Sequence, residues 1–163
     1  MRRLLSLILI LLGVFLMSCS SDGVYSVDMQ YGEFDFYGEY EVDGCVYTGR
    51  FYISEGKRLS EREKYIILSS PEALSDMRID VSEGSAQLNC DGISLDVAAT
   101  DVGRVFELFD IPRSAVFRRD GDSLIALYEK KTYNIVYEGG AIKSISCTNG
   151  TDIMSVRIIE RYE

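Results

Sequence analysis

From Phe34 onward the chain alternates apolar and polar residues with a period of two. Phe34, Phe36, Tyr40 and Val42 fall on one face of the first run, with Asp35, Glu39 and Glu41 on the other. The alternation recurs in Met77, Ile79 and Val81 against Arg78 and Asp80, and in Ile93, Leu95 and Val97 against Ser94 and Asp96. It returns in Tyr133, Ile135 and Tyr137 against Thr132 and Asn134. Alternate side chains of an extended strand point to opposite faces, so these runs predict strands with one buried and one wetter face.

Turn pairs punctuate the runs. Asp43-Gly44, Glu55-Gly56, Glu83-Gly84, Asp91-Gly92, Asp120-Gly121, Gly139-Gly140 and Asn149-Gly150 each supply a glycine that tolerates positive φ, as tight hairpins require. The expected strands lie near 33–42, 45–54, 62–69, 77–83, 85–90, 93–98, 114–119, 123–129, 132–137 and 141–148, with a last one near 151–161. Strands joined by such turns form an antiparallel meander.

Two stretches break the period. Ser70-Pro71-Glu72-Ala73-Leu74 reads as a capped helical turn, with Ser70 as N-cap and Pro71 at the first helical position. Thr100 to Phe109 predicts a short helix, because Val102, Val105, Phe106 and Phe109 fall at i, i+3, i+4 and i+7. Thr100 or Asp101 would cap it, and Ile111-Pro112 would end it. The class expected is mainly β: an antiparallel meander of ten to eleven strands, with one short helix (about 100–109) across it. Such a sheet must curl so that the helix can close its apolar face.

The N-terminal pattern is of another kind. Met1-Arg2-Arg3 precedes an apolar run from Leu4 to Leu16, interrupted only by Ser6 and Gly13. A positive n-region and a short apolar h-region make a secretory signal peptide, and the run falls short of the ~20 residues of a spanning helix. It closes on Leu16-Met17-Ser18-Cys19, which resembles the lipobox of bacterial lipoproteins. That resemblance implies cleavage before Cys19 and a diacylglyceryl group on its thiol, so that Cys19 becomes a lipidated N-terminus. The expected organisation is a signal peptide over 1–18, a lipidated cysteine and polar tether over 19–32, and one β-rich domain over 33–163. The expected location is the extracytoplasmic face of the cell membrane, where the acyl chains on Cys19 anchor the chain.

Charge narrows the partners. The whole chain carries a net charge of −9, and residues 1–18 contain Arg2 and Arg3 and no acid, so cleavage would leave the body more acidic still. Such a surface repels nucleic acid and anionic headgroups, so no nucleic-acid partner is expected. The chain has no histidine, which removes the commonest general base and the commonest metal ligand. Cys45, Cys90 and Cys147 follow no zinc spacing, and no metal or cofactor is expected beyond the acyl anchor. One disulfide with a spare thiol is open to them, as are three reduced thiols; small core residues are the simpler reading.

Catalytic chemistry has few footholds. Glu39 and Glu41 alternate on a strand, and Asp120 and Asp122 flank a hairpin glycine. Acids so placed are ordinarily a solvated face, and a serine or cysteine nucleophile would lack its base. No catalytic residue is assigned, and the chain reads as a non-enzyme. The eleven tyrosines, among them Tyr37, Tyr40, Tyr47, Tyr52, Tyr128, Tyr133 and Tyr137, read either as sheet packing or as a partner-binding surface.

Certain segments, taken in order, carry a further likeness. They are Tyr47-Thr48-Gly49, Ser69-Ser70-Pro71-Glu72-Ala73-Leu74, the Asp91-Gly92-Ile93 hairpin and Val105-Phe106-Glu107-Leu108-Phe109. Together with the lipobox they resemble the small Gram-positive, clostridial-type lipoproteins with a lipoprotein-localisation (LolA/LolB-like) half-barrel. The resemblance implies that the sheet curls into an open half-barrel. It also implies a lipid or other hydrophobic ligand under the helix, bounded by Phe34, Phe36, Tyr40, Val105, Phe106 and Phe109. The other reading is a protein–protein interaction module with a filled core and no ligand.

Overall fold

A computed structural model describes residues 32–162, apart from residues 57, 83–84, 99–101 and 113. The expected signal segment, Cys19 and nearly all of the expected tether lie outside the described residues, as do the expected helix caps Thr100 and Asp101. The chain forms eleven strands: β1 (Phe34–Val42), β2 (Cys45–Ile53), β3 (Lys64–Ser70), β4 (Arg78–Ser82), β5 (Ser85–Cys90) and β6 (Ile93–Ala98), then β7 (Val116–Asp120), β8 (Ser123–Tyr128), β9 (Lys131–Glu138), β10 (Ala141–Asn149) and β11 (Asp152–Arg161).

All eleven belong to one open antiparallel sheet in the order β6-β5-β4-β3-β2-β1-β11-β10-β9-β8-β7. Each strand pairs with its neighbour in the chain except across the β6–β7 connection, and the two meanders join where β1 pairs with β11. β6 and β7 are opposite edges, so their connection must carry the chain from one side of the sheet to the other. It contains a short 3-10 helix, Gly103–Phe109, that packs on β10 and β11 near the middle of the sheet. The helix lies across the sheet because the topology requires a crossing there.

The buried face is the one the alternation predicts. Phe36, Tyr40, Phe51, Ile53, Ile66, Ile135, Ile145 and Val156 are all within 1% of complete burial. A seven-residue 3-10 helix is about 14 Å long at ~2 Å per residue, whereas eleven strands at ~4.8 Å spacing span roughly 48 Å. Yet Ile79 on one flank and Leu124 on the other are each only 3% exposed. Curvature of the sheet must supply the cover that the helix cannot, and the architecture is an open half-barrel.

Two local expectations are corrected. Ser70 is the last residue of β3 and makes no side-chain cap; the short turn Glu72–Leu74 follows Pro71, which itself holds the capping position. The helix begins at Gly103 and has 3-10 geometry. Val102, Val105, Phe106 and Phe109 are buried as their spacing implies, but so are Gly103 and Leu108. With apolar contacts on nearly every side, packing rather than α-helical propensity sets its winding.

Candidate functional site

The six residues expected to bound a ligand all belong to the buried core. Phe34, Phe36 and Tyr40 rise from the concave face of β1, and Val105, Phe106 and Phe109 descend from the helix; none is more than 8% exposed. Three of their rings pack against one another. Phe109 lies 5.1 Å from Phe34 and 5.9 Å from Phe36 between ring centroids, and Phe36 stacks on Phe51 of β2 at 5.1 Å. Of the clefts on the described surface, three lie elsewhere, and none of these three is lined by any of the six. The largest, about 760 Å³, lies between residues 61–64 and the β4–β5 hairpin. A second, of about 310 Å³, sits beside the turns after β7 and β9, and a third, of about 190 Å³, lies against β10 and β11.

Two buried cations border the apolar layer beside the largest cleft. Arg62 and Lys64 are 4% and 6% exposed. Arg62 donates through its guanidinium to the carbonyls of Ser54 and Gly32, and burial pulls its pKa below the ordinary arginine value, opposed by Asp110. Lys64 Nζ donates to the Leu59 carbonyl at 2.8 Å. Together they pin the β2–β3 connection, and Arg62, through Gly32, fixes the point where the chain enters the domain. Sequence reasoning missed both, although Lys64 shares the inward phase of Ile66 and Leu68, where a charge is out of place.

The convex face carries an ordered band of charged and aromatic side chains across β1 to β5. Asp35 accepts two hydrogen bonds from Arg50, at 2.8 and 2.6 Å, and this carboxylate holds the guanidinium pKa above its usual value. Arg50 also lies under the ring of Tyr162, 4.9 Å from its centroid. Tyr52 and Tyr65 are cross-strand partners and stack at 4.9 Å. Arg78 sits 3.9 Å from the centre of the Tyr65 ring while its guanidinium holds Asp80 at 2.9 and 2.6 Å; Asn89 donates to the same carboxylate at 2.9 Å. A hydrogen bond to Glu33, with burial second, raises the Tyr52 phenol. The tyrosines thus divide: Tyr40 and Tyr133 are core, Tyr47 stacks on Tyr40 at 6.2 Å, and Tyr52 and Tyr65 belong to the convex band.

The acids considered for catalysis do not converge. Glu39 pairs with Arg157 at 3.2 Å, while Glu41, Asp120 and Asp122 are exposed. Cys45, Cys90 and Cys147 are free thiols, respectively exposed, half-buried and buried, so only Cys147 is wholly a core residue. Burial pushes the Cys147 thiol upward, away from the thiolate that nucleophilic chemistry needs. Among the described residues no three cysteine or acidic side chains gather as a metal site, and no helix is long and apolar enough to cross a membrane. Compared with known proteins, the chain matches no family model and no curated sequence.

Proposed function

We propose that this protein is a lipid-anchored, non-catalytic component of a bacterial cell envelope, held to the membrane through Cys19, whose folded body works as a protein–protein interaction module. The observation that carries the choice over a lipid carrier is the ring cluster of Phe34, Phe36, Phe51 and Phe109, which occupies the space a ligand would need. A carrier site is ordinarily an open apolar concavity of several hundred Å³. The partner-facing surface in this reading is the convex band around Arg50, Tyr52, Tyr65 and Arg78. Arginine and tyrosine are the residue types that dominate binding hot spots. Here their rotamers are already held by ion pairs and stacking, which lowers the entropy lost on docking.

Native mass spectrometry of the full chain, purified in mild detergent from a bacterial host, tests the reading. The expected mass is that of the protein with its covalent acyl groups alone. A stoichiometric, extractable lipid retained after detergent exchange would instead establish the carrier reading. Cys19→Ala should abolish palmitate labelling; labelling that persists in that variant would remove the anchor.

A further inference from the structure

The two edges of the sheet are built differently. β7 carries Arg118, Arg119 and Asp120, all exposed, and charges on an edge strand discourage another strand from pairing. β6 reads Ile93-Ser94-Leu95-Asp96-Val97-Ala98, with a single charge, no proline and no bulge against β5. Ile93 and Leu95 are 72% and 57% exposed. Their cross-strand partners are Cys90 and Leu88, in phase with the buried Ala86, so they belong to the concave apolar layer. That layer runs out to β6 and stops in solvent. Among the described residues no backbone hydrogen bond joins β6 to any strand except β5.

The backbone phase of β6 is set by its hairpin. Asp91 and Gly92 form a two-residue turn with φ of 49° and 80°, and Cys90 and Ile93 close it as a hydrogen-bonded pair. Alternation along the antiparallel ladder then turns the N–H and C=O groups of Leu95 toward β5 and those of Ser94 and Asp96 outward. The free edge therefore offers two outward-facing residues that flank an apolar one.

We propose that β6 pairs antiparallel with β6 of a second copy of this chain, about a two-fold axis at Leu95. This register places Leu95 against its own copy as a non-hydrogen-bonded pair, Ser94 against Asp96, and Ile93 against position 97. Centring on Asp96 would oppose two carboxylates, and centring on Ser94 would run the ladder into the Asp91-Gly92 turn. The strand is thus its own complement, as a closed two-fold contact requires. Pairing also joins the two concave apolar layers at the point where each is uncovered. The net charge of −9 opposes association, so added salt tightens it.

Sedimentation velocity and cross-linking of the full chain in mild detergent test the pairing. The expected result is a dimer that strengthens from low to moderate salt and becomes a monomer in Leu95→Lys, with an unchanged far-ultraviolet spectrum. In a Cys45→Ser, Cys90→Ser background, Leu95→Cys should form an intermolecular disulfide above the parent level under mild oxidation. The paired Cα atoms would lie about 4.5 Å apart, within disulfide reach. Ile93→Cys should not form one, because the two copies of residue 93 would be four positions out of register, roughly 13 Å. Random collision would favour the more exposed Ile93→Cys. A monomer at all salts, a dimer indifferent to Leu95→Lys, or equal cross-linking at 93 and 95 overturns the proposal. A foreign strand bound at this edge would appear as a monomer and overturn it equally.

Discussion

The ring of Phe109 rests against that of Phe36, centroids 5.9 Å apart and planes inclined by 38°. This contact keys the β6–β7 crossing to β1, the strand that joins the two meanders. Removing the Phe109 ring would loosen the crossing's hold on β1 and leave a void in the core. Phe109→Ala is expected to cost about 3–5 kcal/mol of stability, read as a lowered urea midpoint. A loss below ~1 kcal/mol would mean that the space under the helix is not tightly filled.

Arg62 offers a second test of what holds the domain together. Its guanidinium serves the carbonyls of both Ser54 and Gly32 from a site only 4% exposed. Arg62→Ala would orphan those two acceptors at ~1–3 kcal/mol each where they stay dry. The expected destabilisation is about 2–4 kcal/mol, with faster proteolysis at the entry to β1. Arg62→Lys keeps the charge but not the fork that reaches both carbonyls, so it should rescue only part of the loss.

The strand plan was legible in the sequence because a period of two and paired turn glycines are local signals. β5 and β6 begin and end where those signals put them, at 85–90 and 93–98. The helix was legible as an apolar stripe but not as 3-10, because Leu108 and Gly103 are buried by contacts from distant strands that no local pattern records. The six residues of the expected site are all core residues, and the rings of Phe34, Phe36 and Phe109 meet. Whether they line a space or fill it depends on ring geometry, which the sequence does not carry. Lys64 left a readable trace as a charge in an apolar phase. The convex band did not, since the Tyr52–Tyr65 stack and the Arg78–Tyr65 contact follow from a register between strands that composition leaves open.

Gly49 shows how a small motif can carry a close approach. A Cβ on this residue would lie 2.3 Å from the Ile67 carbonyl oxygen, where the register between β2 and β3 shifts. The obstacle is backbone, so a side-chain rotation cannot relieve it. Gly49→Ala should force the two strands apart and destabilise by about 1–3 kcal/mol, the range for overpacked sites. Amide exchange at β2 and β3 should rise selectively. An unperturbed variant would mean that this close approach does not exist in solution.

Cys147 and Tyr133 predict how stability responds to alkali. They are cross-strand partners in the core, and burial, as the leading cause for each, raises both pKa values above their ordinary ones. In the unfolded chain the thiol ionises from about pH 8.5 and the phenol from about pH 10. Over that window the unfolded state binds fewer protons than the folded state, so unfolding free energy must fall as pH rises. The slope approaches about 1.4 kcal/mol per pH unit for each group once it is ionised only when unfolded. Urea titrations from pH 7 to 11 should show this decline, and Cys147→Ala with Tyr133→Phe should flatten it. Thiol labelling at pH 8 supplies an independent check: Cys45 should react fastest, Cys90 more slowly, and Cys147 only on unfolding. Rapid labelling of Cys147 in the native protein would contradict both its burial and the alkaline slope assigned to it.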